Sequence, residues 1–219
     1  MTPVRTTVAL CIFFIAVVVG LFVNSVTRTP TLTEEELRAV GTFILPRPRE
    51  ITPFELNTHT GAAFDLDDLQ GRWTFAFFGF TNCPDICPTT MAVMGQAYRT
   101  LAAADAELAG LFQGVLVSVD PERDDAETLG RYVSAFSADF LGVRGEPQAL
   151  AVFADQVNVA FAKVPRRDEA GEVLTDSYDV DHSANIVIIN PRGHYHGFIK
   201  YPQTAENVLA TFRSLQARF

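Results

Sequence analysis

Basic residues are scarce in this chain of 219 residues, because 17 lysines and arginines stand against 26 aspartates and glutamates. The resulting formal net charge is −9. Proteins that follow nucleic-acid phosphates collect lysine and arginine on one face. The composition therefore predicts no nucleic-acid partner. Internal repeats and low-complexity blocks are also absent, and the chain is long enough for one compact domain with a proper core.

Apolar runs long enough to cross a membrane are absent except for one near the amino terminus. Val8 to Val23 contains no charge and no proline. With its uncharged flanks it reaches about 20 residues, which is enough to span a bilayer core of ~30 Å. Arg5 and the amino terminus of the chain precede the run, whereas Arg28 lies a few residues beyond it, which favours an inside amino terminus and an outward-facing domain. We predict a single-pass anchor over residues 1–26; a cleaved signal peptide is the alternative.

Cysteine is also rare, and the three cysteines fall into two groups. Cys11 lies within the apolar run, where it is expected to be a small apolar residue. Cys83 and Cys87 belong to the part predicted to face outward, where such a pair could form a disulfide. A bridge across so short a segment adds little chain-entropy stabilisation, so a chemical role is the better interpretation.

The remaining sequence predicts a linker followed by a layered α/β domain. Residues 27–50 contain three prolines and an acidic run, which is typical of a linker that carries one short helix. Residues 51–219 alternate strand and helix signals. The predicted elements are a hairpin in Phe54–Phe64, strands at Trp73–Phe80, Gln113–Val119, Asn158–Val164, Ser183–Ile189 and Tyr195–Lys200, and helices at Pro88–Ala104, from Asp124 or Asp125 to Phe136, from Pro147 to near Asp155, and at Thr204–Phe219. This order predicts a thioredoxin-like fold.

The segment from Gly79 to Pro88 (G-F-T-N-C-P-D-I-C-P) carries the most chemical information. It lies where a buried strand ends and a long helix begins, so the helix dipole is expected to stabilise a thiolate there and lower its pKa. Cys83 and Cys87 are four residues apart, which places both sulfurs on one side of a helix or tight turn. Two adjacent thiolates suit Cu(I), can accept Zn(II), or can close into a disulfide.

A third ligand is expected from histidine, and His182 is the best of the four candidates. It follows the polar, turn-like segment 176–181 and precedes an apolar strand, which a thioredoxin-like sheet places against the cysteine helix. Two thiolates and one imidazole make a plausible trigonal Cu(I) site, and an added oxygen or water ligand would suit Cu(II). Asp181 or Asp179 is expected to orient the imidazole.

Three motifs together resemble the Sco/SenC family. They are C-P-D-I-C-P from Cys83 to Pro88, S-V-D-P-E-R-D from Ser118 to Asp124, and D-H-S from Asp181 to Ser183. The likeness runs over nearly the whole chain from Thr7, with a small departure at Phe80, where tyrosine is more familiar. The resemblance implies a thioredoxin fold that binds Cu(I) or Cu(II) through Cys83, Cys87 and His182.

The same resemblance implies a role in assembling the binuclear copper centre of cytochrome c oxidase, by delivering copper, by reducing the recipient's cysteines, or both. The expected partners are the copper-accepting oxidase subunit, another periplasmic copper chaperone and a thiol reductant. The expected location is the bacterial inner membrane with the domain facing the periplasm. A mitochondrial inner membrane, with the domain facing the intermembrane space, is the alternative.

Two further functions use the same residues. In a thiol-disulfide oxidoreductase, Cys83 or Cys87 would attack a target disulfide and the other would resolve it. The wider cysteine spacing, and the absence of a proline before the late strand, favour an assembly factor over such an enzyme. A redox or copper sensor is the regulatory variant, and a peroxiredoxin-like peroxidase ranks low.

The remaining candidate residues have ordinary structural interpretations. His194 and His196 share one face of a strand; they are expected to lie on a solvated hairpin, and weak metal binding is the alternative. His59 is expected in a turn, and Met91 and Met94 fall at helical core spacing. Ser118 to Asp124 is expected to be a strand end, a turn and a helix cap, and a direct role in docking a partner is the alternative.

Overall fold

The computed structural model of this chain describes residues 3–27, 31–168 and 171–219. The chain divides into two compact units, Met1–Thr31 and Leu32–Phe219. The first unit contains helix α1, Pro3–Thr27. Within the described ranges, no helix combines the length and the apolarity that a membrane crossing needs.

The second unit is a mixed α/β fold whose elements alternate along the chain. In order they are α2 (Glu34–Ala39), β1 (Thr42–Glu50), β2 (Leu56–Thr58), β3 (Ala63–Phe64), a 3₁₀ turn (Asp67–Leu69), β4 (Trp73–Gly79), α3 (Ile86–Ala104), α4 (Ala106–Ala109), β5 (Phe112–Ser118), α5 (Ala126–Ser134), β6 (Leu141–Arg144), α6 (Pro147–Gln156), β7 (Phe161–Arg167), β8 (Val173–His182), β9 (Ile186–Ile189), β10 (His194–Ile199) and α7 (Ala205–Gln216).

Eight of the strands form one sheet in the order β1-β10-β9-β4-β5-β6-β2-β3. The pairs β4–β5 and β5–β6 are parallel, so β4 and β5 end at the same edge of the sheet. All residues of β4 and β5 are buried, as expected for central strands covered on both faces. Phe75 packs against Phe212 of α7 and Phe78 against Phe153 of α6, which places a helix against each face.

The predicted core elements are confirmed with shifts of a few residues at their ends. The hairpin, the two central strands, the cysteine helix and the closing hairpin lie where the sequence places them. Pro147 occupies the first turn of α6, where its missing N–H costs nothing. Thr204 caps α7 through the Asn207 N–H. Asp125, the second of the two predicted candidates, caps α5.

The segment 27–50 differs from the predicted linker, because its second half is part of the sheet. The predicted short helix is present as α2, but residues 42–50 form β1, which pairs with β10. The ladder breaks between Ile44 and Arg49, where Pro46 and Pro48 have no N–H to donate. Proline is tolerated on an edge strand for this reason, so prolines that suggest a linker here mark an edge.

The segment before His182 also differs from its prediction. It is expected to be turn-like because it is polar, but the structure extends β8 from Val173 to His182 and pairs it with β7 in a separate two-stranded sheet. Polar residues are common on a strand that is largely solvated on one face. His182 is therefore the last residue of a strand, directly opposite Phe161.

The position of β1 makes the starting residue of a domain fragment decisive. Leu37 is fully buried, and Thr42 shares a buried hydrogen bond of 2.7 Å with Thr211. Losing both is expected to cost about 3 kcal/mol, from one buried leucine and one hydrogen bond. We predict that a fragment of residues 32–219 unfolds cooperatively in urea, and that a fragment of 51–219 is less stable by at least that amount. Equal stability of the two fragments would contradict this assignment of β1.

Candidate metal centre

The two cysteines lie at the carboxyl edge of the central sheet. Cys83 is half-buried in the loop that follows β4, and Cys87 is fully buried in the first turn of α3. The Cys87 N–H donates to the Cys83 sulfur across 3.4 Å, so the two side chains face one another as their spacing predicts. Both are free thiols.

Gly79, the last residue of β4, makes room for the buried cysteine. A Cβ at this position would lie 2.9 Å from the Cys87 sulfur and 2.8 Å from the ring of Phe77. Any larger residue would push the sulfur or the ring away. Because it lacks a Cβ, Gly79 allows the end of β4 to lie close to the Cys87 sulfur at the start of α3.

His182, which lies far from the two cysteines along the chain, completes the cluster. Its Nε2 lies 3.4 Å from the Cys87 sulfur, and its Nδ1 lies 3.2 Å from the carbonyl oxygen of Ser183. A carbonyl oxygen can only accept, so the proton of the neutral ring belongs on Nδ1. This tautomer leaves the Nε2 lone pair directed towards the cysteines, which is the arrangement that a metal ligand needs.

The rings of Phe77 and Phe80 hold the imidazole in place. Each lies nearly perpendicular to the His182 ring, with centroid separations of 5.7 and 5.8 Å. An open groove of about 320 Å³ borders His182 and is lined by residues 160–162 and 181–183. His182 is therefore packed against two rings and also borders open space.

The three ligand atoms are close enough to share one metal ion. Both sulfurs and the imidazole nitrogen lie within 4.8 Å of one another. Bonds of about 2.3 Å to sulfur and about 2.0 Å to nitrogen, as zinc sites show, would set ligand atoms about 4 Å apart in a trigonal site. The observed spacing requires only small shifts. Among the described residues, Cys83, Cys87 and His182 are the one group of three or more such side chains that could hold a metal.

Burial controls the protonation of the site. It raises the pKa of the Cys87 thiol strongly, and the hydrogen bond with Cys83 adds to this effect. The sequence-based expectation of a lowered pKa is thus wrong for Cys87, because loss of hydration outweighs the helix dipole. Burial also lowers the pKa of His182. Both groups are therefore neutral near pH 7, and a metal must displace the thiol proton.

The predicted orienting role of the aspartates is not what the structure shows. The Asp179 carboxylate pairs with Arg166 on the neighbouring strand. Asp181 is exposed and acts on His182 only through its charge, which opposes the lowering of the pKa. The imidazole is oriented instead by the Ser183 carbonyl, a backbone group that sequence patterns do not reveal.

Asp124 has a structural role at the site that differs from the helix cap considered for it from the sequence. It is fully buried, and its carboxylate accepts hydrogen bonds from the Thr81 N–H, the Thr81 hydroxyl and the Ser118 hydroxyl. These bonds tie the loop after β5 to the loop that carries Cys83. The sequence signal is the motif from Ser118 to Asp124, which is also consistent with a simple helix cap.

The other candidate side chains lie outside the cluster. His196 packs against Trp73, and its Nδ1 lies 3.2 Å from the Asn190 amide nitrogen. His59 accepts a hydrogen bond from the Gly142 N–H. Met91 and Met94 are fully buried in the core, which confirms their packing role.

The difference in burial predicts unequal thiol reactivity. In the metal-free protein at pH 8, iodoacetamide should modify Cys83 well before Cys87, because Cys87 is fully buried and its thiol pKa is raised. Peptide mapping by mass spectrometry against time measures both rates, and unfolding in urea should make them similar. Equal rates in the folded protein would contradict the described burial of Cys87.

Comparison with known proteins identifies the family to which this arrangement belongs. A Stutzerimonas stutzeri protein named for copper binding is 36% identical over 166 residues, which cover 76% of each chain. The mitochondrial SCO2 homologue of Homo sapiens is 34% identical over 168 residues, covering 76% of this chain and 59% of that protein. The human relative thus extends well beyond the matched region.

The fold matches solved structures over most of its length. The structure of Bradyrhizobium japonicum ScoI with copper bound superposes with a TM-score of 0.64 at 30% identity, covering 75% of this chain and 98% of that one. The family model for SCO1/SenC matches residues 45–217, which include all three ligand candidates. The chain therefore belongs to the SCO1/SenC family.

Proposed function

We propose that this protein is a copper metallochaperone that binds Cu(I) or Cu(II) through Cys83, Cys87 and His182. The observation that carries the proposal is the convergence of two thiols and one imidazole within 4.8 Å at the edge of the sheet. Copper is the cargo, which the protein holds and passes on. The resemblance of the three sequence motifs to the Sco/SenC family supports the same function.

The donor set favours copper over structural zinc. Two thiolates and one imidazole satisfy the soft, three-coordinate preference of Cu(I), whereas structural zinc is usually held by four protein ligands. The described residues supply three such ligands. Cu(II) would need a further oxygen or water ligand, and open space borders His182.

The unequal exposure of the ligands suits transfer between proteins. Cys83 and His182 are partly exposed, whereas Cys87 is fully buried. An acceptor's ligand can replace an accessible ligand first, while the buried thiolate keeps hold of the metal. Stepwise exchange of this kind needs no large opening of the fold.

The proposed recipient is the copper-accepting subunit of cytochrome c oxidase, and the proposed outcome is assembly of its binuclear copper centre. Another copper chaperone or a thiol reductant would supply the metal or the electrons. These partners follow from the family resemblance. The copper-bound structure of Bradyrhizobium japonicum ScoI, which matches 75% of this chain, supports copper as the metal.

The proposed location is the bacterial inner membrane with the domain in the periplasm, and the mitochondrial inner membrane is the alternative. The proposal rests on the sequence, in which residues 8–23 carry no charge. Residues 1–26 would serve as the anchor. Membrane fractionation of the full chain beside a fragment of residues 32–219 tests this point, and equal solubility of the two would remove the anchor.

A second function, thiol-disulfide exchange with the recipient, is favoured by the arrangement of the two free thiols. Cys83 is accessible, and the Cys87 N–H lies 3.4 Å behind its sulfur. The Cys83 thiolate would attack a target disulfide, and Cys87 would then displace the bound target sulfur. The target leaves as a dithiol with two electrons gained, and Cys83 and Cys87 form the predicted disulfide.

Replacing His182 tests the metal site. We predict that His182→Ala lowers Cu(I) affinity by more than about 100-fold, because a lost ligand should cost more than the 10–100-fold typical of an outer partner. Anaerobic titration against a chromophoric Cu(I) chelator measures it, with Cys11→Ser in every variant. His194→Ala, outside the cluster, is the matched control and should keep the parental affinity. Parental affinity in His182→Ala would remove this residue from the site.

Single cysteine variants separate the two functions. For copper binding, Cys83→Ser and Cys87→Ser should both lose tight Cu(I) binding, because each removes a thiolate ligand. For thiol exchange the two should differ: Cys83→Ser should fail to react with a disulfide peptide, whereas Cys87→Ser should accumulate a mixed disulfide visible by mass spectrometry. If neither variant differs from the parent in either assay, both functions are contradicted.

A further inference from the structure

His182 is delivered to the site by a hairpin that has little support of its own. Strands β7 and β8 form a separate two-stranded sheet, and in the described residues they share no backbone ladder with the eight-stranded sheet. An isolated hairpin is only marginally stable in water. Besides the rings of Phe77 and Phe80, side chains that attach this hairpin to the rest of the domain are therefore expected to help set the position of His182.

Tyr178 is one of these side chains, and it makes polar contacts with the loop after β5. It lies four residues before His182 on β8, and since side chains alternate along a strand, both point to the same face. Its hydroxyl donates a hydrogen bond of 2.8 Å to the Asp120 carboxylate, which is fully buried. The guanidinium of Arg123 lies over the Tyr178 ring at 4.2 Å and also pairs with Asp120.

Further contacts join the same loop to the hairpin. The ammonium of Lys163 on β7 lies 4.7 Å from the centre of the Tyr178 ring and pairs with Glu122 at 2.7 Å. Arg123 also lies 5.7 Å from the ring of Phe80, whose edge contact with His182 is described above. We name Asp120, Arg123 and Tyr178 the tyrosine clamp.

The loop that holds the clamp is itself tied to the cysteines. Asp120 and Asp124 bracket one turn after β5, and Asp124 accepts two hydrogen bonds from the Thr81 N–H and hydroxyl, two residues before Cys83. The loop after β5 is therefore bonded through Asp124 to the cysteine loop and through Asp120 to the strand that carries His182. No member of the tyrosine clamp supplies an atom to the metal cluster.

We propose that the tyrosine clamp is a positioning device, in which Tyr178, through its bond to Asp120, holds β8 so that His182 lies against Cys87. The inference rests on the proposed copper site and adds residues that determine its affinity from outside the ligand set. A loosened clamp leaves the thiols in place and lets the imidazole move away. The expected phenotype is thus a specific loss of the histidine contribution to metal binding.

Tyr178→Phe is the sharpest test, because it keeps the aromatic ring and removes only the hydroxyl. Tyr98→Phe is the matched control. Tyr98 lies on a part of α3 that is remote from the cysteines, and its hydroxyl donates a comparable hydrogen bond of 2.9 Å to the Asp139 carboxylate. In the full chain carrying Cys11→Ser, Tyr178→Phe should weaken Cu(I) binding about tenfold, the low end for an outer partner of a metal ligand. Tyr98→Phe should leave it unchanged.

A double-mutant cycle shows whether Tyr178 acts through His182. In the His182→Ala background, Tyr178→Phe should have no further effect on Cu(I) affinity, because there is no imidazole left to position. A tenfold loss that persists in that background would mean a general weakening of the fold, and it would overturn the proposal. So would unchanged affinity in Tyr178→Phe alone.

A metal-free readout separates this proposal from the copper function. Diethylpyrocarbonate should modify His182 faster in metal-free Tyr178→Phe than in the parent, whereas Tyr98→Phe should match the parent. If the parent binds no Cu(I), the proposed function is overturned, while the rate of His182 modification still decides whether the clamp holds the histidine. Equal rates in all three proteins would overturn the clamp alone.

Discussion

The contact between the Cys87 sulfur and the His182 imidazole is the interaction on which the rest of this structure depends. The two atoms lie 3.4 Å apart although 95 positions separate the residues in the chain. Burial holds both groups neutral, since it raises the pKa of the thiol and lowers the pKa of the imidazole. The metal-free site is therefore an uncharged contact. A soft cation can replace the thiol proton there and regain the electrostatic energy that burial costs the thiolate.

Three features of the fold bring these two residues together. The parallel pairing of β4 and β5 places the loop of Cys83 and the loop of Asp120 at one edge of the sheet. Gly79 provides the space for the Cys87 sulfur, and the β7–β8 hairpin brings His182 over it. Only small shifts of the ligand atoms separate the free and metal-holding arrangements. Such small shifts suit a protein that must release its metal as well as hold it.

The sequence predicts the thioredoxin-like core and the meeting of Cys83, Cys87 and His182, because the core and the cysteine pair produce local signals and the family resemblance adds the histidine. The continuous apolar run at Trp73–Phe80 and the spacing of Cys83 and Cys87 each have one clear physical interpretation. The failures involve long-range pairing. The prolines of β1 suggest a linker until β10 lies beside them, and the polar residues of β8 suggest a turn until β7 does. The Cys87 pKa is mispredicted because the helix dipole can be inferred from local sequence, whereas burial depends on the whole fold.

X-ray absorption at the copper edge of the Cu(I)-loaded protein tests the central claim most directly, because it counts the atoms bonded to the metal. The account predicts two sulfur ligands and one nitrogen ligand in the protein with Cys11→Ser, and two sulfurs without that nitrogen in the His182→Ala variant. A shell that contains no nitrogen before the substitution, or a nitrogen that persists after it, would contradict a site built from Cys83, Cys87 and His182.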